Sequence, residues 1–396
     1  MKRVCHVVFE HGIFDGRIFH KEAVALARAG YEVILLVPRR RGGWLGRKRE
    51  HRLVPGEALV RNGVRFETYP YRKWVPRAFG LRDALCRHEL RAALRRLAPD
   101  LCHFHEDGLT MEVAATLKGD LPTTRLIFDY HEFFLHRLRV SPAKRSRLPR
   151  FVATENRLLA SADALVTVSD FISHYYETLT DRPVVTVMNC QSAHTFPAAP
   201  SHTEADGAFW VVHEGRMLFD RGLRSLVEAA RLVTSPRVRF LLIGDLARAE
   251  REWFDAETRR YGIAQRFHVT GMLPYLEVPG WLRKGSAGIC LIEGANGRTG
   301  IPNKFFNYLR YGLPILTLEH PMMGPIVRRT GCGDVLPRAG TAAALAQSID
   351  RMAEDPARTG AMSRAAASLF ADELNWDQMS GRLLALYESL LGADAR

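Results

Sequence analysis

Short apolar runs alternate with amphipathic stretches along nearly the whole chain. Residues 4–9 form the first apolar run, and Ile18, Ala23, Leu26 and Ala27 then recur at helical spacing. Gly30 follows them where a helix-ending glycine belongs. Residues 31–37 are almost continuously apolar, as in a strand covered on both faces. The same pattern predicts strands over 101–104, 125–129, 164–168 and 184–187. Residues 195–208, rich in Pro, Ala, Ser and acids, break it. It resumes with strands over 209–213, 239–243, 267–270, 287–292 and 314–317, and with helices over 223–233, from about 249, over 304–311 and over 375–391. Buried strands separated by helices imply parallel sheets with helices on both faces. The expected fold class is α/β, with two Rossmann-like doubly wound domains facing a cleft. The expected boundaries are 1–195 for the first domain, 196–208 for a linker and 209–374 for the second. Residues 375–396 form a terminal helix returning to the first domain. Ligands are expected at the carboxyl ends of the strands and in the cleft.

Length and composition narrow the class. The chain has 396 residues, enough for two or three domains, with 47% hydrophobic and 25% charged residues, as in an ordinary globular protein. No apolar run approaches the ~18 residues of a membrane span, and residues 1–10 lack the apolar core of a signal peptide. Six scattered cysteines with no Cys-x-x-Cys pair argue against a zinc site or a disulfide framework and favour a reducing cytoplasm. The net charge of +13 is concentrated: residues 39–96 hold 17 Lys/Arg against five Asp/Glu, and residues 136–150 hold six more with no acid. Trp44, Tyr69, Tyr71, Trp74 and Phe79 interleave with the first stretch. Such a surface suits an anionic membrane or another anionic partner, while an Arg-rich solvated face gives the same count. Nucleic acid is not expected, because no binding motif accompanies the charge.

Missing motifs exclude further classes. The chain has no Gly-x4-Gly-Lys-Ser/Thr loop, no Gly-x-Gly-x-x-Gly after its first strand and no Gly-x-Ser-x-Gly elbow, which disfavours P-loop NTPases, ordinary dehydrogenases and α/β-hydrolases. It also has no Asp-x-Asp, the usual metal-holding pair of one large transferase class.

Several motifs follow one another in a characteristic order. The first half carries Phe14-Asp-Gly-Arg-Ile-Phe-His-Lys-Glu22, His103-Phe-His-Glu-Asp107, Phe128-Asp-Tyr-His-Glu132 and Asp163-Ala-Leu-Val-Thr-Val-Ser169. The second carries Glu214-Gly-Arg216, Asp220-Arg-Gly-Leu223, Val269-Thr-Gly271, Ile301-Pro-Asn-Lys-Phe-Phe-Asn-Tyr308 and Tyr311-Gly-Leu-Pro314. Together they resemble the GT-B glycosyltransferases of family 4, the retaining, nucleotide-sugar-dependent type, over nearly the whole length.

The resemblance implies roles. Arg216, beside Gly215, and Arg221 follow a strand end and would clamp the donor diphosphate. The loop Thr299-Gly300 and the helix opened by Ile301, Asn303 and Lys304 would meet the same diphosphate with free N–H groups and a positive dipole. With these cations no metal and no cofactor is expected beyond the nucleotide-diphosphate sugar itself. Many relatives carry Glu-x7-Glu; the matching positions here are Thr299 and Asn307, both neutral, with Asn307 still able to bond a ribose hydroxyl. The base pocket is expected near Gly271. His131 would contact the donor sugar, and the loop with Gly12 and Asp15 would lie beside the diphosphate and acceptor. Asp15 has two alternatives, pairing with Arg17 or capping the next helix. His103 and His105 end the preceding strand.

The implied activity is transfer of a sugar to a glycan, glycolipid or lipid-linked acceptor in cell-surface polysaccharide assembly. It would take place in the cytoplasm, with the basic first half docked on the inner face of the membrane. Natural-product tailoring is a second enzymatic reading. A nucleotide-sugar epimerase is disfavoured, because it needs carboxylates for proton transfer where Thr299 and Asn307 stand. A degenerate partner subunit that binds nucleotide or glycan without turnover is the non-enzymatic reading.

Overall fold

In the computed structural model the apolar runs become strands whose inward residues are almost fully buried. The structure describes residues 1–39, 59–71, 80–105, 108–192, 207–274, 276–294 and 297–392. They fall into two units, Met1–Asn189 with the segment from Met379 onward, and Cys190–Gln378. The expected linker 196–208 lies outside the described residues except for 207 and 208. So do most of the basic stretches 39–52 and 72–77, including Trp44 and Trp74.

The first unit is built on eight strands: β1 (Arg3–Val7), β2 (Glu32–Arg39), β3 (Val60–Arg61), β4 (Val64–Pro70), β5 (Leu101–His105), β6 (Arg125–Tyr130), β7 (Ala164–Thr167) and β8 (Val184–Thr186). Their order is β3-β4-β2-β1-β5-β6-β7-β8, parallel except for the β3–β4 hairpin. That hairpin turns at Asn62-Gly63, both at positive φ, the chemistry a two-residue hairpin turn requires. The apolar-run reading passed over β3 and β4, because Arg65 and Glu67 interrupt β4 inside the basic stretch. Leu36, Cys102, Phe104, Phe128, Leu165 and Tyr176 are among the buried side chains of its core.

The first helix departs from regular spacing. It opens as a π-helical turn, Ile18–Ala23, before the α-helix Val24–Arg28. Glu22 N–H reaches back five residues to the Arg17 carbonyl at 3.0 Å. The wider turn leaves Arg17 and Glu22 both buried and paired, and such π-turns are frequent at functional sites.

The second unit has β9 (Phe209–Glu214), β10 (Val238–Ile243), β11 (Phe267–Val269), β12 (Ala287–Cys290), β13 (Ile315–Leu318) and β14 (Gly333–Leu336). The order β11-β10-β9-β12-β13-β14 is all parallel and reverses between β9 and β12. At such a reversal the connections leave in opposite directions and open a crevice at the carboxyl ends. The helix Asn303–Arg310 follows β12 and buries Phe305, Phe306, Tyr308 and Leu309. Tyr308 fixes its seat. Its ring lies where a side chain on Gly288 would go, only 2.4 Å from an added Cβ. The terminal helix Trp376–Leu391 carries Tyr387 into the first unit's core beside Tyr31 and His103. Among the described residues no helix is long and apolar enough to cross a membrane.

Gly288→Ala drives a methyl into the Tyr308 ring. It is expected to destabilise the protein by about 1–3 kcal/mol, the usual cost of overpacking a full core, read as a lower urea midpoint at unchanged slope. An unaltered midpoint contradicts the seat described here.

Candidate functional site

Each unit gathers polar side chains where its strand order reverses. In the first, His6 on β1 lies opposite His103 on β5, and His105 opposite Asp129 on β6. Arg17 enters from the loop after β1. Its Nη2 lies 3.0 Å from Asp129 Oδ2, its Nε 2.9 Å from Glu22 Oε1, and its Nη1 donates to the Val187 carbonyl at 2.7 Å. Arg17 is 5% exposed and both carboxylates are fully buried. Burial raises the Asp129 carboxyl, but Arg17, His131 and His105 outweigh it and hold it well below the usual carboxylate range. Glu22, with less compensation, is raised well above that range by its burial.

A chain of imidazoles runs from this ion pair. His131 Nε2 lies 3.0 Å from Asp129 Oδ2 and 3.1 Å from His105 Nδ1, and His105 Nε2 lies 2.8 Å from His6 Nδ1. Burial lowers His6, His103 and His131, and brings His105 down to about 4. The rings are therefore neutral at neutral pH. With Asp129 ionised, His131 donates through Nε2 and keeps a lone pair on Nδ1. It can accept a hydrogen bond from a hydroxyl, but it carries no positive charge to offer. His103 Nδ1 meets the Tyr387 hydroxyl at 2.7 Å.

Asp15 caps the π-turn, accepting from Arg17 N and Ile18 N at 2.8 and 3.0 Å, and His11 lies 3.5 Å from it. Of its two alternatives, capping is the one observed. Gly12 is exposed on the same loop. The metal-ligating residue types His6, Glu22, His103 and His105 cluster here, but the Arg17 guanidinium sits among them and holds Glu22.

The second unit's constellation stands at the carboxyl end of β9. Glu214 ends the strand, and its N–H donates to the Tyr308 hydroxyl at 2.9 Å. Gly215 follows at φ +90°, a backbone turn that a side chain would strain. Arg216 and Arg221 are exposed on the turn between β9 and the helix Leu223–Leu232. Lys304 is buried, and its ammonium lies 2.9 Å from His213 Nε2. Burial pushes Lys304 down to about 8, with Arg221 adding to the effect and Cys290 and Glu214 opposing it. His213 is lowered further, by burial first and by Lys304 second, so the neutral ring accepts from the ammonium.

Asn307 Nδ2 donates to both oxygens of Glu214, at 2.7 and 2.8 Å. No side chain caps the helix Asn303–Arg310, whose first residue is exposed. Thr299, Gly300 and Ile301 form the half-exposed approach to it, and Gly271, half-exposed at φ +69°, follows β11.

The structure thus places Arg216, Arg221, Lys304 and Asn307 on the elements flanking the β9–β12 reversal, and Asp15 and His131 in the first unit. Sequence reasoning missed Glu214, His213, Glu22, Asp129 and His6. The signal for most of them was a charged or imidazole residue inside an apolar strand run.

The buried neutral histidines make stability depend on pH. Unfolded, each takes up a proton near pH 6.5. Folded, His6, His103, His105 and His213 stay neutral to lower pH. The unfolded state therefore binds more protons below about pH 6.5, and stability falls with pH by up to about 1.4 kcal/mol per unit for each such histidine. Protonation of Asp129 adds to the loss below about pH 4. Urea midpoints are expected to drop as pH is lowered from 7.5 to 5.0, the four histidines outweighing Glu22, whose raised carboxyl takes up a proton in the folded state and opposes them, and to drop less steeply in His103→Gln. Flat midpoints contradict the neutral assignment.

Comparison with known proteins bears on both units. Residues 16–190 match the model of a glycosyl transferase 4-like domain, and residues 208–355 that of the glycosyl transferases group 1. A 2-deoxystreptamine glucosyltransferase of Streptomyces kanamyceticus is 26% identical over 322 residues, covering 76% of this chain and 80% of that protein. Among solved structures, a sucrose-phosphate synthase of Thermosynechococcus elongatus superposes with a TM-score of 0.76 at 16% identity, over 100% of both chains. Anabaena HepE in complex with UDP gives 0.74 at 13% identity, over 98% of this chain and 100% of that one. These two likenesses speak for the fold, and the two matched domains, in order along one chain, speak for the family. This chain belongs to the GT-B glycosyltransferases.

Proposed function

We propose that this glycosyltransferase takes a nucleotide-diphosphate sugar as donor, transfers the sugar with retention, and holds the diphosphate with its own cations and no metal. The observation that carries the reading is the carboxyl end of β9. There Arg216, Arg221, Lys304 and the uncapped start of the helix Asn303–Arg310 bring positive charge to one strand reversal. In the transfer the bond from the sugar's C1 to the diphosphate oxygen breaks, leaving its electron pair on the diphosphate. The acceptor oxygen bonds C1 from the same face and its proton passes to the leaving phosphate. The protein's part is to stabilise the charge that develops on the diphosphate. Contact of His131 with the transferred sugar is what the family resemblance implies, and so is retention.

For the acceptor we propose a glycan, glycolipid or lipid-linked sugar of cell-surface polysaccharide assembly, met at an anionic membrane. The basic surface supports this: Arg139, Arg145 and Arg147 are exposed in a stretch without acids. Tailoring of a small aminocyclitol is the second reading, favoured by the 2-deoxystreptamine glucosyltransferase among the relatives. The partner-subunit reading requires that no product form.

UDP release from UDP-glucose, UDP-galactose and UDP-N-acetylglucosamine is expected to persist in EDTA. Arg221→Ala is expected to lower kcat/KM by roughly 10²–10³, the usual loss when one donor to a developing oxyanion is removed. Activity abolished by EDTA, or indifferent to Arg221→Ala, contradicts the metal-free clamp. In flotation at low salt, vesicles containing phosphatidylglycerol are expected to carry up more protein than phosphatidylcholine vesicles, with the difference lost at high salt. Equal recovery on both contradicts the membrane reading.

A further inference from the structure

In the interior of the first unit Arg17 faces two buried carboxylates, Asp129 and Glu22. It meets Glu22 at Oε1 and leaves Oε2 to other partners. None is present: Glu22 Oε2, His6 Nε2 and His103 Nε2 are buried without a hydrogen bond among the described residues. Oε2 lies 3.9 Å from His105 Nε2, and His103 Nε2 lies 3.9 Å from Asp129 Oδ2, both beyond hydrogen-bond reach. Buried polar atoms are almost always satisfied, so three orphans in one place call for a ligand. His6, Glu22, His103 and His105 bring metal-ligating atoms within 4.8 Å of one another. Burial raises the Glu22 carboxyl well above the usual range, so a proton stands in there for a missing positive charge.

The hydrogen bonds around these atoms decide what they offer. His105 Nδ1 lies 3.5 Å from the ionised Asp129 and carries its ring's proton. Its Nε2 then accepts from His6 Nδ1 at 2.8 Å, which leaves a lone pair on His6 Nε2. His103 Nδ1 donates to the Tyr387 hydroxyl oxygen at 2.7 Å, which leaves a lone pair on His103 Nε2. We propose that His6 Nε2, His103 Nε2 and Glu22 Oε2 bind a divalent transition metal ion, best matched by zinc, inside the first unit. Two imidazoles and a carboxylate are an established zinc set, with a water as fourth ligand. Each ligand already has the outer support such sites use: His105 on His6, Tyr387 on His103, and Arg17 on the other oxygen of Glu22. Zinc bonds of about 2.0–2.2 Å would draw the three side chains inward. The ion replaces the proton on Glu22, which passes to solvent. His6 and His103 are partners across β1 and β5, with rings 4.9 Å apart, and Glu22 comes from the π-turn. The ion therefore fastens the turn to the sheet. Its role is structural, and the metal-free clamp on the diphosphate is a separate site. A set without cysteine leaves no mark in the cysteine count.

The test reads the metal itself. Full-length protein made in zinc-supplemented medium is passed through EDTA buffer to strip loosely held ions, and its metal content is measured by plasma mass spectrometry. Wild type is expected to retain zinc in equimolar amount. Cobalt(II) in its place is expected to give the visible absorption of a four-coordinate ion. His6→Gln and His103→Gln are expected to lose both signals, with circular dichroism establishing that they are folded. Tyr387→Phe, which removes only an outer support, is expected to bind roughly 10- to 100-fold more weakly in competition with a chromophoric chelator. Wild type refolded from urea with zinc is expected to show a higher urea midpoint than wild type refolded with EDTA, because an ion bound only by the folded state stabilises it. Wild type that retains no zinc and gains no stability from it overturns the proposal, whether or not the variants fold. Zinc retained equally by folded His6→Gln and His103→Gln also overturns it, since the ion then sits elsewhere.

Discussion

The hydroxyl of Tyr308 joins three elements at the point where the second sheet changes direction. It accepts from the last residue of β9 and faces carbonyls of β9 and β12, while its ring fills the space left by the missing side chain of Gly288. A buried phenol with every polar contact met is worth far more in place than out of it, since an orphaned buried hydroxyl costs about 1–3 kcal/mol. The helix it belongs to is therefore held at the strand ends. Lys304 and Asn307, one turn and one residue before Tyr308, are set against His213 and Glu214 by the same constraint.

The two units treat charge differently. In the first, Arg17, Asp129 and Glu22 are sealed in the interior, and breaking that set would strand a buried charge at a cost of several kcal/mol. The neutral histidines beside it complete a rigid base from which His131 presents a single lone pair. In the second, Lys304 is buried but Arg216 and Arg221 are exposed, and no side chain caps the helix that starts beside them. That is an arrangement with positive charge left to give to a ligand.

Much of this was legible in the residues. The alternation of apolar runs and helical spacing marked most of the parallel strands in both units, because a strand covered on both faces has little room for polar residues. Arg216 and Arg221 could be picked out because they follow a strand end, and Lys304 because it lies in the opening turn of a Pro-started helix that matches a family motif. Other features were hidden for physical reasons. The β3–β4 hairpin carries charges at alternate positions and reads as basic surface. The π-turn depends on the five-residue reach from Glu22 to Arg17, which leaves no trace in helical periodicity. Asn307 stands where the family resemblance expects a carboxylate, and position by position the charge is missing. It is present at Glu214, 93 residues away in the chain and 2.7 Å away in space. Only the pairing of β9 with β12 and the seat of Tyr308 bring the two together.

The central claim is that the nucleotide diphosphate is held by the turn after β9 and by the helix after β12. Amide hydrogen exchange of the full chain, with and without saturating UDP, GDP or ADP, locates bound nucleotide directly. The account predicts that one of these nucleotides slows exchange in peptides spanning residues 214–222 and 299–308, because these segments carry Arg216, Arg221, Lys304 and the helix start that would meet the phosphates. A nucleotide that binds and protects other segments, leaving both of these unchanged, contradicts it.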